Sequence, residues 1–154
     1  MGVYNVGFQA LAQGRVTSSG AYTVMLCTTG YTPNQDHVTV DDGTTNDPKS
    51  YEVAVVGYSR QTLASVSLTK DNTRECAYLD ATDPTFTGLA GGATIGTVCI
   101  FPYSTGSTQA GTATTGDTGQ VLLSFYDTTD VVTNGSNITF TFSTDGFIYV
   151  GTTT

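Results

Sequence analysis

AYTVMLCTT, residues 21–29, decides how this chain must fold. Tyr22, Val24 and Leu26 fall on one side, and Thr23, Met25 and Cys27 on the other. That is the period of a strand, whose successive side chains point to opposite faces. Both faces are fairly apolar, which points to a central strand, since a strand with one wet face alternates apolar with polar. ATIGTVCIFPY, residues 93–103, is a second strongly apolar strand and ends near Pro102.

VYNVGFQALAQ at 3–13 is the convincing helical segment. Tyr4, Phe8 and Leu11 fall at i, i+4 and i+7, so they are expected to form its buried face. Gly14 is a natural stop. YEVAVVGYSRQTLASVSLT, 51–69, reads as two strands kinked at Gly57 and Tyr58, since glycine in a strand marks a bend. DNTR (71–74) is a turn and ECAYLDA (75–81) a further strand, followed by a loop around Pro84, Gly91 and Gly92. Residues 104–119 have little apolar content and no period, and are expected to form a mobile, exposed Thr/Gly-rich loop. QVLLSFYD (120–127) returns to strand, and TTDVVTNGS reads as a turn region. NITFTFS (137–143) alternates Ile138, Phe140 and Phe142 against Asn137, Thr139 and Thr141. Asp145 and Gly146 then signal a hairpin into FIYVG. About eight antiparallel strands with a short N-terminal helix make an all-β domain, a jelly roll or β-sandwich. Val24, Leu26, Val98, Ile100, Leu122, Phe140 and Phe142 are its expected core.

The totals agree. Residues 1–154 suit a single domain. Only 12% of residues are charged, while Thr, Val, Tyr and Phe suit a pleated surface and Gly, Asn and Asp suit turns. The net charge of −8 argues against nucleic acid, which needs a basic footprint, and against an anionic membrane. MGVYNVGFQA lacks the features of a secretory peptide, and no apolar run is long enough to span a bilayer. Cys27, Cys76 and Cys99 are far apart and odd in number, so they are expected as buried free thiols, which suits a reducing cytoplasm.

The order of segments resembles a family of small structural proteins of tailed bacteriophages. FQALAQG, TVMLCTTGYTPNQDH, EVAVVGYSRQTLASVSLT, DATDPTFTGLAGGATIGTVCIFPYSTGS and GSNITFTFSTDGFIYVG carry the resemblance, over roughly residues 4–151. The chain departs from the family pattern at 37–50 and 104–119. The resemblance implies a non-enzymatic virion protein with a jelly-roll or sandwich fold. Its implied role is capsid decoration (cement), binding and stabilising the assembled head shell. The implied partners are the major capsid protein and further copies of itself, as a homotrimer on the capsid surface, assembled in the bacterial host cytoplasm. A tail or neck component, or a receptor- or glycan-binding module, is the alternative.

His37 is the sole histidine, in GYTPNQDHVTVDD (30–42). A zinc site there would need further nitrogen or sulfur ligands, and no nucleophile elbow accompanies it. Asp36, Asp41, Asp42 and Asp47 form one group of acids, and Asp71, Glu75, Asp80 and Asp83 a second. Calcium takes such oxygens, but EF-hand spacing is absent, and solvated turns are the simpler reading. Tyr22, Tyr58, Tyr78 and Tyr149 are the aromatics that could stack on sugars; the chain has no tryptophan. Asn134 and Asn137 begin sequon-like triplets and are expected to serve only as turn and strand residues. No catalytic, cofactor-binding or metal-binding residue is expected. The N-terminal arm, the 30–50 loop and the 104–119 loop are the expected contact surfaces.

Overall fold

A computed structural model describes residues 1–102 and 117–151. In chain order these form β1 (Gly2–Val3), helix α1 (Asn5–Ala12), β2 (Tyr22–Thr28), β3 (Gln61–Thr62), β4 (Ser67–Asp71) and β5 (Cys76–Asp80). There follow β6 (Thr85–Phe86), β7 (Thr94–Pro102), β8 (Ser124–Val132), β9 (Ile138–Thr139) and β10 (Ile148–Gly151). Short 3₁₀ turns lie at Pro48–Tyr51 and Asp117–Gly119. The fold is all-β and sandwich-like, with antiparallel sheets. The described residues hold ten strands rather than about eight, and four of these are two residues long. They divide into sheets of five (β1-β8-β7-β2-β3), three (β10-β5-β4) and two (β6-β9).

β2 does lie inside its sheet. It pairs with β7 from Tyr22↔Pro102 to Thr28↔Ile95, and with β3 at Thr23 and Val24. Its two faces enter two separate cores. Tyr22, Val24 and Leu26 join Val98, Ile100, Leu79, Phe86, Phe142 and Ile148, so the smaller sheets pack on this side. Met25 and Cys27 join Tyr4, Tyr31, Val40, Cys99, Phe101 and Leu122, which come from the N-terminus, the acidic loop, β7 and the run into β8. Val24, Met25 and Leu26 are at most 1% exposed. Each such burial contributes about 1.5–3 kcal/mol. The expected core holds: Val24, Leu26, Val98, Ile100, Leu122 and Phe142 are buried, and Phe140 is partly so.

Several local expectations are corrected. Of the expected face of α1, Tyr4 is fully buried at the N-cap and Leu11 partly so, but Phe8 is 48% exposed, and within the helix the buried residues are Gly7 and Ala10. The cause is close approach: a Cβ on Gly7 would lie 2.4 Å from the Leu123 carbonyl oxygen, so the helix rests its backbone there. The first half of 51–69 is not a strand. Val53 N–H donates to Leu26 O and Tyr58 OH accepts from Leu26 N–H, so single contacts rather than a ladder meet β2 at this point. TTDVV is not a turn but the end of β8, where β7 gives it a partner up to Thr94↔Val132 after a shift in register. The turn at Gly146 forms, with φ +62°, and Gly146 N–H donates to Ser143 O. It is not a hairpin, because β9 pairs with β6 while β10 pairs with β5. Most of the expected Thr/Gly loop at 104–119 lies outside the described residues. Its last part, Asp117–Gly119, is a 3₁₀ turn in which Asp117 is fully buried.

Candidate functional site

The acidic loop begins where β2 ends, with Tyr31 N–H donating to Thr28 O. His37 is half-buried, its N–H donating to Asn34 O in a tight turn. Its Nδ1 lies 2.9 Å from the Tyr31 hydroxyl. That hydroxyl is 2.9 Å from Tyr4 OH, which in turn is 3.5 Å from Cys99 Sγ. The histidine is therefore the outer end of a hydrogen-bonded chain running into the core. The imidazole tautomer sets the direction of donation. Burial raises both tyrosine hydroxyls well above the ordinary phenol range, so they are neutral links.

The neighbouring acids are spent on the loop's own backbone. Asp41 Oδ1 accepts from Gly43 N–H, Asp42 Oδ1 from Thr44 N–H and Asp47 Oδ1 from Ser50 N–H. Side-chain and backbone hydrogen bonds from Thr44 hold Asp42 below the usual carboxylate range. Asp36 accepts from Asn5 Nδ2 at 2.7 Å, and Asn5 N–H donates to Gln35 O, which fastens the loop to the start of α1. Short Asp side chains that bond the backbone two or three residues on are turn formers.

The strongest constellation is one that the residue pattern alone did not single out. Lys49, Glu52, Arg60 and Asp117 bury two cations and two carboxylates together. Arg60 is 1% exposed. Its Nε and Nη2 donate to Glu52 at 2.7 and 2.8 Å, while Nη1 and Nη2 donate to Asp117 at 2.7 and 2.9 Å. Lys49 Nζ reaches Glu52 at 2.7 Å and Asp117 at 3.2 Å. Tyr58 OH donates to Glu52 Oε1, and the guanidinium lies 5.4 Å above the Phe101 ring. Burial alone would raise the carboxyls of Glu52 and Asp117. The hydrogen bonds and charge of Arg60, with Lys49, outweigh it and hold both below the usual range. Burial would likewise depress Arg60, yet its two carboxylates push it further above the ordinary guanidinium range. A planar fork bonded on both sides to carboxylates satisfies nearly all its donors, which is what makes such a charge tolerable inside a protein. The signal in the sequence was Arg60 itself, one of only five basic residues, set between apolar runs.

The second group of acids behaves like the first. Asp71 accepts from Thr73 and Arg74 N–H, Asp80 from Ala81 N–H, and Asp83 from Phe142 N–H. Glu75 sits in a turn at φ +51°. Among the described residues no three His, Cys, Asp or Glu side chains gather as a metal site. The tyrosines divide. Tyr22 is buried and its OH bonds the Thr17 backbone, and Tyr58 belongs to the ion cluster. Tyr78 and Tyr149 are half-buried cross-strand neighbours on β5 and β10, with Arg74 over the Tyr149 ring and ion-paired to Asp145. Asn134 and Asn137 accept from Ser136 and Gly88 N–H. All three cysteines are free and buried, and burial raises the Cys27 thiol. Among the described residues no helix is long and apolar enough to cross a membrane.

Comparison with protein-family models, curated proteins and solved structures finds no match.

Proposed function

We propose that this protein is a non-enzymatic structural protein of a tailed-phage virion, a decoration protein that binds the assembled head shell and stabilises it. The ordered sequence resemblance motivates the reading. The observation that carries it is the buried cluster of Lys49, Glu52, Arg60 and Asp117, which ties Asp117 to the connection between β2 and β3. Val40 N–H donates to Gln120 O and Leu122 N–H to Val38 O, extending the same fastening. Loops fixed before contact lose little entropy on binding, which suits a body that acts by attachment. Whatever binds the assembled shell and not its separated subunits shifts the balance towards the shell.

The test uses purified protein and expanded empty capsids. Co-sedimentation with the shells and increased resistance of the shells to heat are expected. Cryo-electron density for the protein at the tail tip, with none on the shell, would overturn the reading.

One observation favours a glycan-binding module as the second reading: the half-buried Tyr78 and Tyr149 pair beside the Arg74–Asp145 ion pair. Tyrosine offers an apolar ring face with a polar tip. Binding to a glycan array that is lost in Tyr78→Ala, with no effect on capsids, would select it.

A further inference from the structure

The buried ion cluster sets an amine against a carboxyl. Lys49 Nζ lies 3.2 Å from Asp117 Oδ2 and 2.7 Å from Glu52 Oε2. Arg60 Nη2 touches the same two oxygens, at 2.9 and 2.8 Å. Two nitrogens and two oxygens therefore close a diamond in which Oε2 and Oδ2 are neighbours. The side chain of Asp117 is 0% exposed, that of Glu52 6% and that of Lys49 13%, so little water reaches it. The Phe101 ring lies against the guanidinium, and Tyr58 closes on Glu52. A buried ion set is weak evidence for stability, because taking its charges out of water offsets much of their attraction.

We infer that the cluster is a self-condensing site, in which Lys49 Nζ and Asp117 Cγ join in an amide bond and one water leaves. Holding both groups in contact makes the condensation a unimolecular step. The nitrogen attacks as the free amine, so it gives up two of its three ammonium protons and keeps one in the amide. Glu52 Oε2 takes the first across their hydrogen bond and passes it to Oδ2. Oδ2 takes the second directly and departs as water when the Cγ–Oδ2 bond breaks. Arg60 and Lys49 hold Asp117 ionised at rest, so these protons are what turn Oδ2 into a leaving group. Arg60 Nη1, 2.7 Å from Oδ1, faces the oxygen that gathers negative charge as the carbon becomes tetrahedral. Condensation removes one positive and one negative charge from the interior. It leaves Glu52 bonded to Arg60 through Nε and Nη2. The desolvation of those two charges no longer opposes folding, and the dry surroundings keep water from reversing the step. The ionic cluster is the form that folding first delivers, and the amide accumulates from it. The reaction occurs once within one chain, so it stands beside the proposed function and does not rest on it.

Intact mass under denaturing conditions reads the bond directly, on protein freshly purified and again after several days at neutral pH. A species lighter than the 16.1 kDa chain by one water is expected to grow with time. Trypsin should then leave the chain uncut after Lys49 and yield that peptide joined to the one holding Asp117. Lys49→Arg keeps a cation in place but has no amine to condense, and is expected to fold and to hold its full mass. Glu52→Gln is expected to slow the accumulation about 10²-fold or more. A wild-type mass that never falls would overturn the inference. So would a water lost as a cyclic imide at Asp42 or Asp145, each followed by glycine, with no joined peptide. Water loss that persists in Lys49→Arg, or an unslowed rate in a Glu52→Gln variant that folds by circular dichroism, would likewise reject it.

Discussion

Arg60 is the residue on which the most depends. Removing one partner of a buried, hydrogen-bonded charge set leaves the others uncompensated, so Arg60→Ala is expected to cost about 3–5 kcal/mol in urea unfolding. The same cluster sets an acid limit. Glu52 and Asp117 are held below their unfolded values, so the stability they contribute is complete above about pH 4 and is lost as pH falls through their folded values. The unfolding midpoint is therefore expected to drop with acidification below that point, and in Arg60→Ala the drop should shrink; an equally steep loss in the variant would show that other carboxylates govern it. His37 is different. It ends a chain of neutral hydroxyls whose donors can all reverse, so one residue that looked like chemistry is accounted for as a fastening between the acidic loop and the core.

Among the elements, the strands flanked by apolar side chains on both faces were legible from pattern alone. β2 and β7 lie within a residue or two of where their alternation put them. The errors fall where tertiary contact overrides local pattern. α1 turns Gly7 and Ala10 inward because of backbone approach to Leu123, and periodicity of large apolar residues cannot report that. Gly7→Ala, which raises intrinsic helix propensity, is accordingly expected to destabilise the protein in thermal unfolding. A gain in stability would mean that the helix can lift from the sheet without loss. Phe142 kept its predicted inward face even though its segment forms only a two-residue strand, and it packs among Tyr126, Phe140 and Phe147. Phe142→Ala is expected to cost about 3–5 kcal/mol by the same unfolding measurement. The ion cluster was not legible because its members come from positions 49, 52, 60 and 117, and nothing in local sequence brings the last to the others.

For the whole molecule, the decisive feature is a sheet with a core on each side. Its inner strand β2 has a core on both faces and can reach solvent only when one of them opens, so backbone amides of Val24, Met25 and Leu26 are expected among the slowest to exchange with deuterium, near the global unfolding limit. Rapid exchange there would mean that the acidic loop and N-terminal segment detach as a unit. The order β1-β8-β7-β2-β3 has one more consequence, and it concerns the ribosome. β1 pairs through Gly2 with Phe125, and β2 pairs with a strand that begins at Thr94. β1 and β2 thus leave the ribosome well before the long strands they pair with. At about 5–20 residues per second they spend seconds as an unpaired apolar chain, and the native sheet closes only once β8 has emerged.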